Sequence, residues 1–376
     1  MNEPAEHRPT EAVVDVGAIR HNVAVLAERA RPAELCAVVK ADGYGHGTVP
    51  VARAALEAGA TWLAVALAEE AIPLRGAGID APILLLAEPS PAEAALAVEL
   101  GLEVAVYRPE AVTHLAEAAG GTAVPVHLKV DTGMHRVGCS PDDALGLARS
   151  VQETPGLHLA AVWTHCARAD EPGEGFTALQ IERYRRVLDE LGDAGVEVPL
   201  RHVANSAALL AFPESHFDLC RAGIAVYGID PGPLMAGMAP LRPALSLRST
   251  VAHVHRVAEG EGISYGHRYL MPAEGWVAVA PVGYADGVPR RLPDVGGEVL
   301  VGGRRRPIAG AVTMDQVCID CGDHRPDVGD EVVLIGRQGD EEITAADWAE
   351  RLGTITYEVV CGVGSRVPRR YQDGPC

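Results

Sequence analysis

Long hydrophobic runs are missing from this 376-residue chain. A run such as Pro82-Ile-Leu-Leu-Leu-Ala87 has the length of a strand, well short of the ~20 residues that a membrane-spanning helix needs. Basic residues are also in short supply, with 32 Lys and Arg against 51 Asp and Glu, a net charge of −19 at pH 7. A surface of that sign repels phosphate backbones and anionic lipid, so no nucleic-acid and no membrane partner is expected. The start, Met1-Asn-Glu-Pro-Ala-Glu-His7, is acidic and lacks an apolar stretch, which speaks against a secretory leader. The 8 cysteines are scattered and read as free thiols in a reducing compartment. Cys318-Ile-Asp-Cys321 is a lone CxxC without the further ligands of a zinc site, so no metal is expected. Together these absences predict a soluble, cytoplasmic protein.

Glycine and proline, 41 and 27 residues, exceed the usual share and imply many turns between short elements. Between residues 35 and 228, short apolar runs alternate with longer segments of helical periodicity. The strand candidates are Leu35–Lys40, Trp62–Leu67, Pro82–Ala87, Glu103–Tyr107, Val124–Val130, Leu157–Thr164, Leu200–Ala204 and Asp218–Ala222. Helix candidates between them are Val49–Ala58, Pro91–Leu100, Pro109–Ala119, Asp142–Gln152 and Thr177–Ala194. Eight such strands predict an α/β fold, a (β/α)8 TIM barrel. A doubly wound sheet competes, but its GxGxxG fingerprint after the first strand is missing. Beyond Leu241-Arg-Pro243 the runs alternate with period two, at Leu245–Val254, Trp276–Val282, Glu298–Val301, Gln316–Asp320 and Glu331–Ile335. A helix at Thr344–Leu352 and a last strand at Ile355–Cys361 follow. The chain thus divides at 242/243, a barrel over 1–242 and a smaller, mainly β C-terminal domain over 243–376.

Reactive groups of such a barrel sit at the C-terminal ends of its strands. Those ends carry Lys40, Lys129, His165, Asn205-Ser206 and Arg221-Ala-Gly-Ile224, a basic and hydroxylic set within an acidic protein. Taken singly, a strand-end lysine is a solvated cation, His165 a hydrogen-bonded histidine and Arg221 a salt-bridge partner. Lys40, however, follows the apolar Leu35-Cys-Ala-Val-Val39 and precedes a glycine-rich loop. That setting desolvates the amine and lowers its pKa, as a Schiff-base lysine requires. Backbone N–H groups at Gly223-Ile224 and the Ser206 hydroxyl offer a resting place for phosphate. On one rim, these residues favour a phosphate-bearing cofactor bound through Lys40.

Val38-Val-Lys-Ala-Asp-Gly-Tyr-Gly-His-Gly47 closely resembles the pyridoxal-phosphate lysine signature of bacterial alanine racemases. The resemblance runs nearly end to end. It includes Lys129-Val-Asp-Thr-Gly-Met-His-Arg136, Thr164-His-Cys-Ala167, His202-Val-Ala-Asn-Ser206 and Arg221-Ala-Gly-Ile224. In the second domain it includes Ser264-Tyr-Gly266, Gly283-Tyr-Ala-Asp-Gly287, Met314-Asp-Gln316, Gly353-Thr-Ile-Thr-Tyr-Glu358 and Arg366-Val-Pro-Arg369. The resemblance implies pyridoxal 5'-phosphate as cofactor and alanine as substrate, with D-alanine destined for peptidoglycan. It also implies a homodimer with shared active sites. Lys40 is then the base on one face of the substrate and Tyr265 of the other subunit the base on the opposite face. Tyr44, Asn205, Ser206, Gly223, Ile224 and Tyr357 match cofactor-binding positions. Arg221 matches the partner of the pyridine nitrogen, and His165 links it to the tyrosine as a cationic relay. Arg136, Met314 and Asp315 match substrate contacts, and Lys129 a position often carbamylated in the family.

Some residues depart from the family pattern. Asp42-Gly43 replace the usual Asn-Ala, bringing a charge near the phosphate region and a looser loop before Tyr44. Ala311 stands where an arginine usually lines the substrate corridor, which opens the question of substrate range. A racemase of serine or of several amino acids is therefore the alternative. A barrel decarboxylase would need an acidic partner for the pyridine nitrogen, which Arg221 contradicts. A non-catalytic cofactor carrier would lack the β domain bearing Tyr265 and Met314.

Overall fold

The computed structural model describes residues 8–374, so the acidic start at residues 1–7 lies outside the described residues. Strand β1 (Glu11–Asp15) and the helix Val16–Ala30 come first. Eight strands follow: β2 (Glu34–Val38), β3 (Trp62–Val65), β4 (Ile83–Leu85), β5 (Glu103–Val106), β6 (Val124–Lys129), β7 (Leu157–Trp163), β8 (Leu200–His202) and β9 (Leu219–Ala222). They form one sheet in the order β8-β7-β6-β5-β4-β3-β2-β9, and every ladder is parallel. Asp218 N–H to Arg201 O (3.0 Å) and Arg221 N–H to Ala204 O (2.9 Å) join the two end strands. The ring is a nearly closed (β/α)8 barrel, as the eight alternating runs predict.

Strands β2 to β6 and β9 are buried on both faces over nearly all of their length, which is why they read as apolar runs; all three residues of β4 are buried. Helices Thr48–Glu57, Ile72–Gly76, Pro91–Glu99, Pro109–Ala119, Ala144–Glu153, Phe176–Asp193 and Ser206–Ala211 return the chain from one strand to the next. Local chemistry sets their starts. Ser90 accepts from Glu93 N–H (3.3 Å) while the Glu93 carboxylate accepts from Ser90 N–H (3.1 Å), a capping box worth about 1 kcal/mol. In Phe176–Asp193 the buried Ile181, Tyr184, Val187 and Leu191 repeat every three or four residues.

The remaining strands build the second compact unit: β10 (Leu245–Thr250), β11 (His253–Val257), β12 (Gly262–Ile263), β13 (Tyr269–Leu270), β14 (Gly275–Ala280), β15 (Glu298–Val301), β16 (Arg304–Pro307), β17 (Val317–Gly322), β18 (Glu331–Gln338), β19 (Glu341–Ile343) and β20 (Arg369–Gln372). The main sheet runs β16-β15-β18-β10-β1-β20, with β19 on β18, and a smaller one runs β11-β14-β17. Strand β1 lies between β10, antiparallel, and β20, parallel, so the described residues up to Gly17 group with this unit. Tyr44–Gly47 group with it too: Arg369 Nε donates to Gly45 O (3.0 Å). The barrel unit is Ala18–Gly43 with Thr48–Pro243, so a cut at 242/243 omits these two excursions of the chain.

Two of the expected strands differ from the sequence reading. Leu245–Val254 is not one strand, because the chain leaves the main sheet after Thr250 and enters the smaller one at His253. The last expected strand, Ile355–Cys361, is instead a helix at Thr356–Cys361. Its β-branched composition favours a strand, but burial of Val359 and Val360 beside the helix Ala345–Leu352 decides otherwise.

Candidate active site

Lys40 leaves the C-terminal end of β2 at the head of an unusual turn. Ala41, Asp42, Gly43 and Tyr44 all adopt left-handed backbone angles, with φ between 52° and 58°. An L-residue there costs about 1–2 kcal/mol, while Gly43 costs little. Side chains offset that strain. Glu70 accepts from Ala41 N–H (2.6 Å), and Asp42 accepts from Thr48 N–H (3.1 Å) at the start of the helix Thr48–Glu57. Asp42 is thus spent as a helix cap, which accounts for an acidic residue at this position.

Lys129 ends β6, and Arg136 follows on a loop ordered by Asp131, whose Oδ1 accepts from Gly133, Met134 and His135 N–H (2.9, 2.9 and 3.1 Å). Lys129 is 5% exposed, and its Nζ lies 4.3 Å from the Trp163 ring centroid. Burial, then the charges of Arg221 and Arg136, push its ammonium down to about 7.

Arg221, on β9, is 3% exposed. Its Nη2 donates to Thr164 O (2.9 Å), Val203 O (3.0 Å) and His165 Nδ1 (3.3 Å), and its Nη1 to His202 Nδ1 (2.7 Å). Burial pulls the guanidinium down to about 10, so it remains a cation at neutral pH. Burial and the charges of Arg221, Lys129, Arg136 and Lys40 push His165 well below its usual range. His165 is therefore neutral, accepts from Arg221 at Nδ1 and carries its proton on Nε2. The charge of this pair thus rests on Arg221.

Ser206 Oγ accepts from Gly223 N–H (2.8 Å), which fixes the turn that presents Gly223-Ile224. Asn205 is engaged at both ends, with Oδ1 capping Ala208 N–H (2.9 Å) and Nδ2 donating to Cys166 O (3.3 Å). Of the barrel residues singled out by sequence, Lys40, Lys129, Arg136, His165 and Arg221 share one electrostatic neighbourhood. Sequence reasoning gave no role to Trp163, whose ring stacks on His202 (5.3 Å, 9°) and faces both Lys129 and Arg221. A large aromatic directly after Ala160-Ala-Val162, at the end of its strand, was the available signal.

The second unit holds the rest. Tyr44 and Tyr357 pack with ring centroids 6.2 Å apart. Tyr265, Met314 and Tyr284 are exposed (73%, 52% and 43%) on loops tied together by hydrogen bonds. Ser264 Oγ donates to Ala311 O (2.9 Å), Tyr284 N–H to Thr313 O (2.9 Å) and Ala285 N–H to Met314 O (3.1 Å). Gly310 has φ +75°, and a Cβ there would stand 2.4 Å from Ile263 O. Asp315 accepts from Arg366 (2.7 Å), which occupies one carboxylate oxygen.

Residues 14–231 match the family described as alanine racemase, N-terminal domain, and residues 244–371 the alanine racemase C-terminal domain. The chain belongs to the alanine racemase family. It is 49% identical over 367 residues to an alanine racemase of Symbiobacterium thermophilum, covering 97% of each chain. The crystal structure of alanine racemase from Bacillus anthracis with bound L-Ala-P is similar at a TM-score of 0.92 and 42% identity, covering 98% of this chain and 96% of that one. A histidine racemase from Leuconostoc mesenteroides has the same fold, at a TM-score of 0.89 and 32% identity, covering 99% of this chain and 100% of that one.

Alanine racemases are pyridoxal-phosphate-dependent isomerases. The residues present fit that cofactor. Arg221 is buried, yet its Nε has no partner among the described residues, so a donor stands ready for an acceptor such as a ring nitrogen. A strand-end lysine and the turn held by Ser206 and Gly223 complete a donor set suited to an aldehyde and a phosphate.

Proposed function

We propose that this chain interconverts L-alanine and D-alanine with pyridoxal 5'-phosphate held at the C-terminal rim of its barrel, and so supplies D-alanine for peptidoglycan in the cytoplasm. Lys40 would hold the cofactor covalently, Arg221 would face its ring nitrogen, and Ser206, Gly223, Ile224, Tyr44 and Tyr357 would hold its phosphate. Bound there, the cofactor supplies the electron sink that makes the α-proton of an amino acid removable. Inverting a carbon centre requires one group to take a proton and another to return it from the opposite face. Lys40 takes the first role and Tyr265 the second. Arg136 and Met314 bind the substrate carboxylate.

The buried, cationic Arg221 beside a neutral His165 carries this reading. A carboxylate facing the ring nitrogen would favour its protonation, whereas a guanidinium disfavours it. That choice suits rapid return of the proton to carbon rather than transfer of the amino group. His165, with Nε2–H outward, can donate to a tyrosine oxygen and stabilise its deprotonated form.

Tyr265 stands on the exposed surface of the second unit, together with Met314 and Tyr284. A second copy of the chain that covers this patch gives it a role in catalysis, and a homodimer with shared sites is part of the proposal. Racemisation of serine or of several amino acids is the second reading; Ala311, small and bonded through its carbonyl to the Tyr265 turn, favours it. In the test, Tyr265→Phe should retain the absorbance of bound cofactor and lose conversion of L- to D-alanine. Unchanged racemisation by Tyr265→Phe would refute the two-base assignment.

A further inference from the structure

Arg221 is one end of a hydrogen-bonded chain that crosses the inside of the barrel. Its Nη1 meets His202 Nδ1 at 2.7 Å, His202 Nε2 meets His127 Nδ1 at 2.9 Å, and His127 Nε2 meets Glu103 Oε2 at 2.7 Å. Both imidazoles are fully buried. Glu103 is the first residue of β5, at the strand-start end of the barrel, with its side chain 18% exposed. It borders a cavity of about 300 Å³ lined also by Trp62, Pro125, His158 and Leu200.

Only one arrangement of protons satisfies this chain. A guanidinium donates and never accepts, so His202 Nδ1 carries the lone pair and its proton sits on Nε2. That proton is donated to His127 Nδ1, whose own proton is then on Nε2, facing the Glu103 carboxylate. A doubly protonated His127 would set Nδ1–H against His202 Nε2–H. Two neutral, identically oriented imidazoles therefore connect a buried cation to an anion at the opposite end of the barrel. Ring packing holds them in place: Trp163 stacks on His202, and Trp62 meets His127 edge-on at 5.8 Å.

We propose that Glu103 and His127 are positioning residues for the racemisation, setting the orientation and charge of Arg221 through His202. The arrangement answers a specific difficulty. A buried guanidinium needs a counter-charge, but a carboxylate in direct contact would bring an acid to the ring-nitrogen side of the site. Two imidazoles place that carboxylate at the far end while keeping a polarised acceptor on Nη1 and leaving Nε for the cofactor. The inference rests on the cofactor reading given above.

The test uses the holoenzyme with Glu103→Gln and His127→Phe, and His158→Ala as a control that lines the same cavity outside the chain. Glu103→Gln retains an acceptor for His127 and removes only the charge, so it leaves packing intact. It should lower kcat about tenfold or more, as expected for losing a charged hydrogen-bond acceptor, and leave KM within about twofold. It should also raise transamination relative to racemisation and shift the absorbance of bound cofactor. His127→Phe should do the same more strongly, and His158→Ala should change none of these readouts. Independently of cofactor, 15N NMR of histidine-labelled protein should show His127 and His202 as neutral Nε2–H tautomers at pH 7. A charged or Nδ1–H ring at either position overturns the proposal, as does a wild-type kcat and reaction partition in both variants. Failure of the wild-type protein to bind pyridoxal phosphate would instead overturn the cofactor reading, while NMR still reports the proton arrangement.

Discussion

Lys129 is surrounded by cations and nearly closed to water, and its amine should behave accordingly. Burial and the charges of Arg221, Arg136 and Lys40 outweigh the opposing pull of Asp131 and bring it down to about 7. At that value about half of the amine is unprotonated at pH 7, against roughly 3 in 10,000 for an ordinary lysine near 10.5. Only the unprotonated amine adds to CO2: a C–N bond forms, a proton leaves the nitrogen, and a carbamate of charge −1 results. Among three cations the change of sign turns repulsion into attraction, steadying Arg136 above all. Incubation with 13C-labelled bicarbonate should give a carbamate 13C signal that is missing in Lys129→Arg. Its pH midpoint should fall near 7, not near 10. Arg136→Gln removes one of the repelling charges, so the amine titrates higher and the midpoint should move up. No incorporation at pH 8, or a midpoint near 10, would refute the electrostatic argument.

Three other outcomes follow from the packing. Asp42→Ala removes the cap on Thr48 N–H and should cost about 1 kcal/mol in urea unfolding, while Asp42→Asn retains most of it. Asp286 is buried; burial alone would raise its pKa, but bonds from Arg8 (2.7 and 2.6 Å) and Gly283 N–H (2.9 Å) hold the carboxyl below its usual range. Its stabilisation is complete above the unfolded value of about 3.9 and lost as pH falls through the lower folded value. Asp286→Asn should therefore be less stable by about 1.5–3 kcal/mol at pH 7, and the gap should close below about pH 4 in acid-unfolding curves. Arg221→Glu should raise the ratio of pyruvate released to alanine racemised by about tenfold or more, because a carboxylate favours the protonated ring nitrogen.

The barrel was legible because its strands, β8 with its exposed Arg201 apart, are largely buried on both faces and each is punctuated by a turn. Strand β16, Arg304-Arg-Arg-Pro307, and strand β20, Arg369-Arg-Tyr-Gln372, carry no apolar alternation, since each is an edge of its sheet with few core contacts. Strand β1 was missed although it is apolar, because its partners β10 and β20 lie more than two hundred residues away in sequence. The helix Thr356–Cys361 shows the converse failure, a segment of strand-like composition overridden by packing. In the site, strand ends bearing Lys40, Lys129, His165 and Arg221 stood out as polar residues after apolar runs. His127 was not singled out, because its hydrogen bonds run to residues on two other strands. The capping role of Asp42 depends on a left-handed turn that its residues do not announce.

Alanine is the amino acid this chain should racemise. Chiral chromatography of the holoenzyme incubated with single L-amino acids tests this most directly, with Lys40→Ala as control. D-alanine should appear fastest by a wide margin, and not at all with Lys40→Ala. Comparable conversion of serine or histidine would contradict an alanine-specific site and point to the opening at Ala311, and no racemisation of any amino acid would contradict the account as a whole.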